Sequence, residues 1–173
     1  MGMANRWSPN RYQCSTDTEL LVSILVRYPE LATVCLDAST QTLRLSFLVA
    51  GELPAAKFRS LRRRVELSVR AYGQLRSVCP GVICVRQSSD DQLTVLHVVR
   101  DIQSLSQEEI GMLVALMREA LGSQLTTDDH WVGDDMSGQE EVIDQMLEDI
   151  RSSRQQRRLT ALRDDGRVLV FNH

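Results

Sequence analysis

The chain has 173 residues, a formal net charge of −3 at pH 7 and a hydrophobic content of 43%. This length suits one domain with appendages and is enough to bury a core without disulfides or a structural metal. The small negative charge excludes a global basic field for nucleic acid, and no apolar run reaches the roughly 18 residues that cross a bilayer.

Charge is unevenly distributed along the chain. Residues 101–150 contain thirteen acids and one base, whereas residues 151–173 contain six arginines and two aspartates. Segregation of this kind often indicates contact between unlike patches, within one chain or between copies.

The four cysteines lack the paired spacing of a zinc site, and the first sixteen residues lack the apolar core of a signal peptide. We therefore expect reduced thiols in a cytoplasmic protein. Residues 124–138 are rich in aspartate, but their spacing matches no calcium loop, so we interpret them as a linker. No motif predicts a cofactor or a metal ion, and we expect neither.

The N-terminal part predicts one helix and one hairpin. Residues 1–15 are polar and aperiodic, which favours a disordered tail. A helix is expected over Thr16–Tyr28, beginning with a capping box at Thr16. Two strands, Thr33–Asp37 and Thr42–Val49, follow across a connection short enough for a hairpin.

Residues 54–78 give the clearest helical signal and are the most basic stretch. Apolar residues recur at steps of three and four, so one face should be buried. Gly73 is expected to cost about 1 kcal/mol relative to alanine, and residues 79–81 are expected to end the helix. The predicted buried stripe is Phe58, Leu61, Val65, Val69, Tyr72, Leu75 and Val78.

A second hairpin and a third helix come next. Strands are expected over Gly81–Gln87 and Gln92–Asp101, and a helix from Ser104 to a stop at Gly122. His97 lies on the second strand of this pair, where a lone histidine is far more often a hydrogen-bonded structural residue than a base or a ligand.

The C-terminal part predicts a helix over residues 139–157 and a hairpin over residues 159–171, with an Asp-Gly turn at 165–166. An isolated hairpin is marginally stable in water. This hairpin must therefore pair with the edge of its own sheet, with the preceding helix or with another copy of the chain.

The fold class is therefore α+β: a four-stranded, mainly antiparallel sheet in helix–hairpin–helix–hairpin–helix order, with helices on one face, plus a C-terminal helix and hairpin. The order resembles small scaffold modules of the roadblock or longin type, in architecture and not in any motif. The domains are a tail at 1–15, a core at 16–122, an acidic linker at 123–138 and a C-terminal unit at 139–173.

No arrangement of nucleophile, base and oxyanion donor appears in the sequence; His97 and the acidic cluster 128–135 stand alone. We therefore favour a non-enzymatic adaptor or regulator that binds a protein partner or self-associates, without a membrane. Self-association is assigned to the apolar residues of the last hairpin, which are Leu159, Leu162, Val168, Val170 and Phe171.

The alternative is an RNA-associated or ribosome-associated protein that binds phosphate through arginines. The negative net charge and the shortage of aromatic residues for base stacking argue against it. A third interpretation leaves the arginines on a solvated face, where they balance acids elsewhere in the chain. The candidate arginines are Arg59, Arg62, Arg63, Arg64 and Arg70 on the basic helix, and Arg151, Arg154, Arg157 and Arg158 further on.

Overall fold

A computed structural model describes residues 15–128, 139–153 and 156–173. It shows an α+β fold with six strands and four α-helices. In the part of the chain that is described, no helix is both long and apolar enough to span a membrane. The elements are α1 (Thr16–Arg27), β1 (Thr33–Asp37), β2 (Thr42–Ala50), α2 (Ala55–Leu75), β3 (Ile83–Asp90), β4 (Leu93–Asp101), α3 (Gln107–Leu121), α4 (Gln139–Arg151), β5 (Arg158–Asp164) and β6 (Arg167–Asn172).

The six strands form one antiparallel sheet in the order β3-β4-β2-β1-β5-β6. The predicted four-stranded sheet is therefore wrong. The C-terminal hairpin joins the sheet because every residue of β1 pairs with β5, from Thr33 opposite Leu162 to Asp37 opposite Arg158. Without β5, β1 would be an edge strand, and its unpaired backbone groups supply the partner that a marginal hairpin needs.

Most buried apolar side chains of the strands share the face that carries the helices. Leu43, Leu45, Phe47 and Val49 of β2 are fully buried there, as the period-two pattern predicts. On the opposite face, called the open face below, most side chains are half-buried or exposed. Two rows cross this face from β3 to β6: Arg86, His97, Ser46, Thr33, Leu162 and Leu169, then Cys84, Val99, Arg44, Cys35, Thr160 and Phe171.

Helix α2 is shorter than the prediction. Leu61, Val65 and Val69 are buried as expected, but Leu75, the last residue of the helix, is 86% exposed. The helix ends four residues before the predicted stop at residue 79. The chain then turns back at Ser77, whose φ is +56°.

Gly73 has a packing role that the sequence does not reveal. The Val78 N–H donates to the Gly73 carbonyl at 2.8 Å. A Cβ at position 73 would lie 2.7 Å from the Val78 oxygen and 3.1 Å from Pro80 Cδ. Glycine is therefore required for the close return of the chain.

The helix caps explain where the other helices begin and end. Helix α1 is capped by Ser15, one residue before the predicted cap, and its hydroxyl accepts from the Thr18 N–H. Helix α3 begins after Ser106 and ends at Gly122, the predicted stop, where φ is +52°. Asp144 of α4 accepts from the Gln107 N–H at 2.8 Å, which places a carboxylate at the positive end of α3.

A buried arginine joins β3, β4 and α3. Arg100 is fully buried, with Nε 2.5 Å from Glu109 Oε1 and Nη2 2.9 Å from Ser104 Oγ. Its Nη1 donates to Asp101 and to the Val82 carbonyl. The alternation of β4 places residue 100 on the buried face. These partners offset the cost of removing the Arg100 charge from water.

Candidate interaction surfaces

All five candidate arginines of α2 are exposed, but two are engaged within the chain. Arg62 bonds Glu66 at 2.9 Å, and Arg64 bonds Glu119 of α3 at 2.7 Å. These contacts raise the pKa of Arg62 and lower that of Glu119, in each case through the hydrogen bond and then the opposite charge.

The other three make no ion pair with any described residue: Arg59, Arg63 and Arg70. Spacings of four and seven residues place them within about 40° of arc on one side of the helix. We call these three residues the basic stripe.

The arginines that follow residue 150 do not join this surface. Arg151 turns inward, where its Nε donates to the Ile102 carbonyl at 2.9 Å and it also pairs with Glu148. Arg157 and Arg158 are exposed near the start of β5, whereas α2 packs against β3 at the other end of the sheet order. Arg154 lies outside the described residues.

The predicted self-association residues divide into two groups. Leu159 is buried in the core, and Val168 and Val170 pack against the core from the same face. Leu162 is half-buried on the open face, and Phe171 is 47% exposed.

Leu169 is 38% exposed and lies on the same face of β6 as Phe171, although it is not among the predicted self-association residues. The signal was the period of two along β6, which places residues 169 and 171 on the face opposite Val168 and Val170.

Both end strands of the sheet have one side that no described residue pairs with. β6 pairs only with β5, and β3 pairs only with β4, among the described residues. Neither strand contains proline, which commonly protects sheet edges. Each strand therefore has one row of backbone N–H and C=O groups without a strand partner in the described part of the chain.

A cavity of about 560 Å³ opens where α2 ends and β3 begins. Its walls include Arg70, Gln74, Ser77, Val78 and Ile83. Of the described residues that line it, Arg70 alone carries a charge. We call this cavity and the adjoining free side of β3 the α2–β3 groove.

A second cavity, of about 360 Å³, lies beside Arg163 and Leu48. Arg163 is almost fully buried and donates to the carbonyls of Leu25 and Tyr28, so it caps the end of α1. Burial lowers the pKa of Arg163, and Asp128, 3.6 Å away, opposes this shift. The arginine is committed to this structural role.

His97 has one polar neighbour that the sequence could not show. Its Nδ1 lies 2.8 Å from Ser46 Oγ, across the β2–β4 ladder. Burial and then the charge of Arg44 lower the pKa of His97. Ser46 is only 1% exposed, so its side of this hydrogen bond is shielded from solvent.

No group of three or more histidine, cysteine or acidic side chains in the described ranges is placed to hold a metal ion. Of the acidic linker cluster, residues 129–135 lie outside those ranges. When the chain is compared with protein-family models, curated proteins and solved structures, none of them matches it.

Proposed function

We propose that this protein is a non-enzymatic interaction module that self-associates through the free side of β6. The observation that carries the proposal is an edge strand, β6, with one side unpaired among the described residues and two exposed apolar side chains, Leu169 and Phe171, on one face. A cytoplasmic location belongs to the same proposal, since Cys35, Cys79 and Cys84 are free thiols.

Two copies of β6 can pair antiparallel about a two-fold axis. Centred on Leu169, the register sets this residue opposite its equivalent and sets Arg167 opposite Phe171. The leucines would bury each other, and each guanidinium would lie near an aromatic ring. The two sheets would become one continuous sheet through a symmetric interface, the commonest arrangement of homodimers.

Edge β3 suits this self-pairing less well. The equivalent two-fold pairing near its centre would bring Arg86 close to its own copy, and like charges directly opposite destabilise a ladder. The alternative function, RNA binding, draws support only from the basic stripe, and an oligonucleotide measurement described below tests it.

The test is the molar mass in solution, measured by light scattering on a sizing column over a range of concentrations. We expect a mass near twice 19.6 kDa. Leu169→Arg should weaken dimerisation at least tenfold, because two added charges would face each other. Leu75→Arg replaces another exposed leucine, on α2, and should leave the dimer unchanged. A monomeric wild type, or a dimer indifferent to Leu169→Arg, would refute the proposal.

A further inference from the structure

We propose that the α2–β3 groove binds an extended, acidic peptide segment of a partner protein. The peptide would add as a seventh strand beside β3 and direct an acidic side chain to Arg70. This inference goes beyond the self-association proposed above and uses the opposite edge of the sheet.

The backbone of β3 favours this mode of binding. All eight of its residues pair with β4 in an unbroken register, from Ile83 opposite Arg100 to Asp90 opposite Leu93. The strand is therefore regular and long enough to template a partner of similar length. Its free side presents alternating N–H and C=O groups, which a peptide backbone matches and a nucleic acid backbone does not.

The cavity supplies the side-chain recognition. Ile83 and Val85 point toward α2, and the peptide residues beside them would point the same way. The cavity lies at this position, since its walls include Ile83 and the last two turns of α2. Its volume of about 560 Å³ accepts one or two side chains.

Charge selects an acidic peptide. Arg70 lines the cavity, is exposed and has no ion pair among the described residues. Arg86 is exposed on the other face of the same strand. Acidic side chains on either face of the added strand would therefore lie near a guanidinium, that of Arg70 or that of Arg86. Among the nearby acids, Asp101 accepts from the Gly81 N–H at the cavity wall but is paired with the buried Arg100. Glu66 of α2 is paired with Arg62, and Asp90 lies at the opposite end of β3 from Ile83.

The experiment uses the full chain and a labelled ten-residue peptide of alternating glutamate and valine, followed by fluorescence anisotropy. A matched peptide with lysine in place of glutamate should bind at least tenfold more weakly. Two further peptides carry N-methyl groups on odd or on even residues, which remove alternate N–H donors. One of them should lose at least tenfold in affinity and the other should bind nearly normally. Equal binding by both methylated peptides and the parent would overturn strand addition.

Substitutions in the groove locate the site. Arg70→Glu should weaken binding of the glutamate–valine peptide at least tenfold, and Gln74→Trp should do so by filling the cavity. Arg59→Glu is the matched control: Arg59 is exposed on the same helix, makes no ion pair with a described residue, and lies about 16 Å from Arg70 along the axis. Its effect should stay below about twofold. An equal loss in both charge variants would reduce the proposal to general attraction by a basic helix and overturn it.

A labelled ten-nucleotide oligouridylate provides the remaining comparison. Tight, salt-dependent oligonucleotide binding without peptide binding would assign the surface to RNA and overturn the inference. The Leu169→Arg chain should bind the peptide normally, so failure of the β6 proposal and failure of the groove proposal give different results.

Discussion

At the scale of the residue, Asp101 links the start of β3 to the loop before α3. Its carboxylate accepts from the Gly81 and Val82 N–H groups and from Ser104. Burial alone would raise its pKa, but hydrogen bonds from Ser104, Val82 and Arg100, with the charge of Arg100, lower the pKa to about 2. The carboxylate is thus more acidic in the folded state than in the unfolded state.

The lowered pKa predicts a pH-dependent stability. The contribution of Asp101 should be complete above about pH 4, its unfolded range, and should be lost as the pH falls through about 2. Urea unfolding of the wild type and of Asp101→Asn should therefore give a difference in free energy that shrinks from pH 5 toward pH 2. A difference that stays constant over this range would show that the carboxylate charge is not the cause. Asp90→Asn, exposed at the end of β3, serves as the control.

At the scale of the element, the end of α2 depends on Gly73. Replacing a helical glycine by alanine ordinarily stabilises a protein by about 1 kcal/mol. Here the added Cβ, whose position is fixed by the helix backbone, would lie 2.7 Å from the backbone oxygen of Val78. The steric conflict should outweigh the gain in helix propensity.

We therefore expect Gly73→Ala to lower the free energy of unfolding, by about 1–3 kcal/mol, as measured with urea. Ala71→Gly, at an exposed position of the same helix, should also destabilise, by about 1 kcal/mol. Opposite exchanges would then have effects of the same sign. If Gly73→Ala were instead stabilising, the turn at Ser77 would have to be free to move.

Local sequence signals predict some features of the helices and strands but miss others. The buried face of β2 and the stop of α3 at Gly122 follow from local signals, namely alternation and a glycine cap. The early end of α2 has no such signal, since it follows from a contact with Val78 that exists only after the chain turns back. The sequence also does not show which arginines remain outside ion pairs, because Glu119, the partner of Arg64, comes from α3.

At the scale of the whole molecule, the C-terminal hairpin is part of the core. Leu159 and Ala161 of β5 are buried and lie opposite Leu36 and Val34 of β1. Local patterns predicted the hairpin, but its pairing with β1 joins segments more than 120 residues apart and leaves no local trace. The cavity at the end of α2 is hidden from the sequence for the same reason.

Removing residues 156–173 should abolish cooperative unfolding, because β1 would lose β5, one of its two neighbours, and its buried side chains would meet water. Thermal unfolding followed by near-ultraviolet circular dichroism is the measurement. A synthetic peptide of residues 156–173, added in excess, should restore the transition at least in part. A shortened chain that unfolds cooperatively at the wild-type midpoint would contradict this expectation.

The pairing of β1 with β5 also has a consequence for biosynthesis. During translation, β1 and β2 leave the ribosome early, but β5, the second neighbour of β1, is completed only at residue 164. Until then the nascent chain holds an open strand edge in the middle of its future sheet. High contact order slows folding, so a ribosome stalled between β4 and β5 would present a species that chaperones and proteases can recognise.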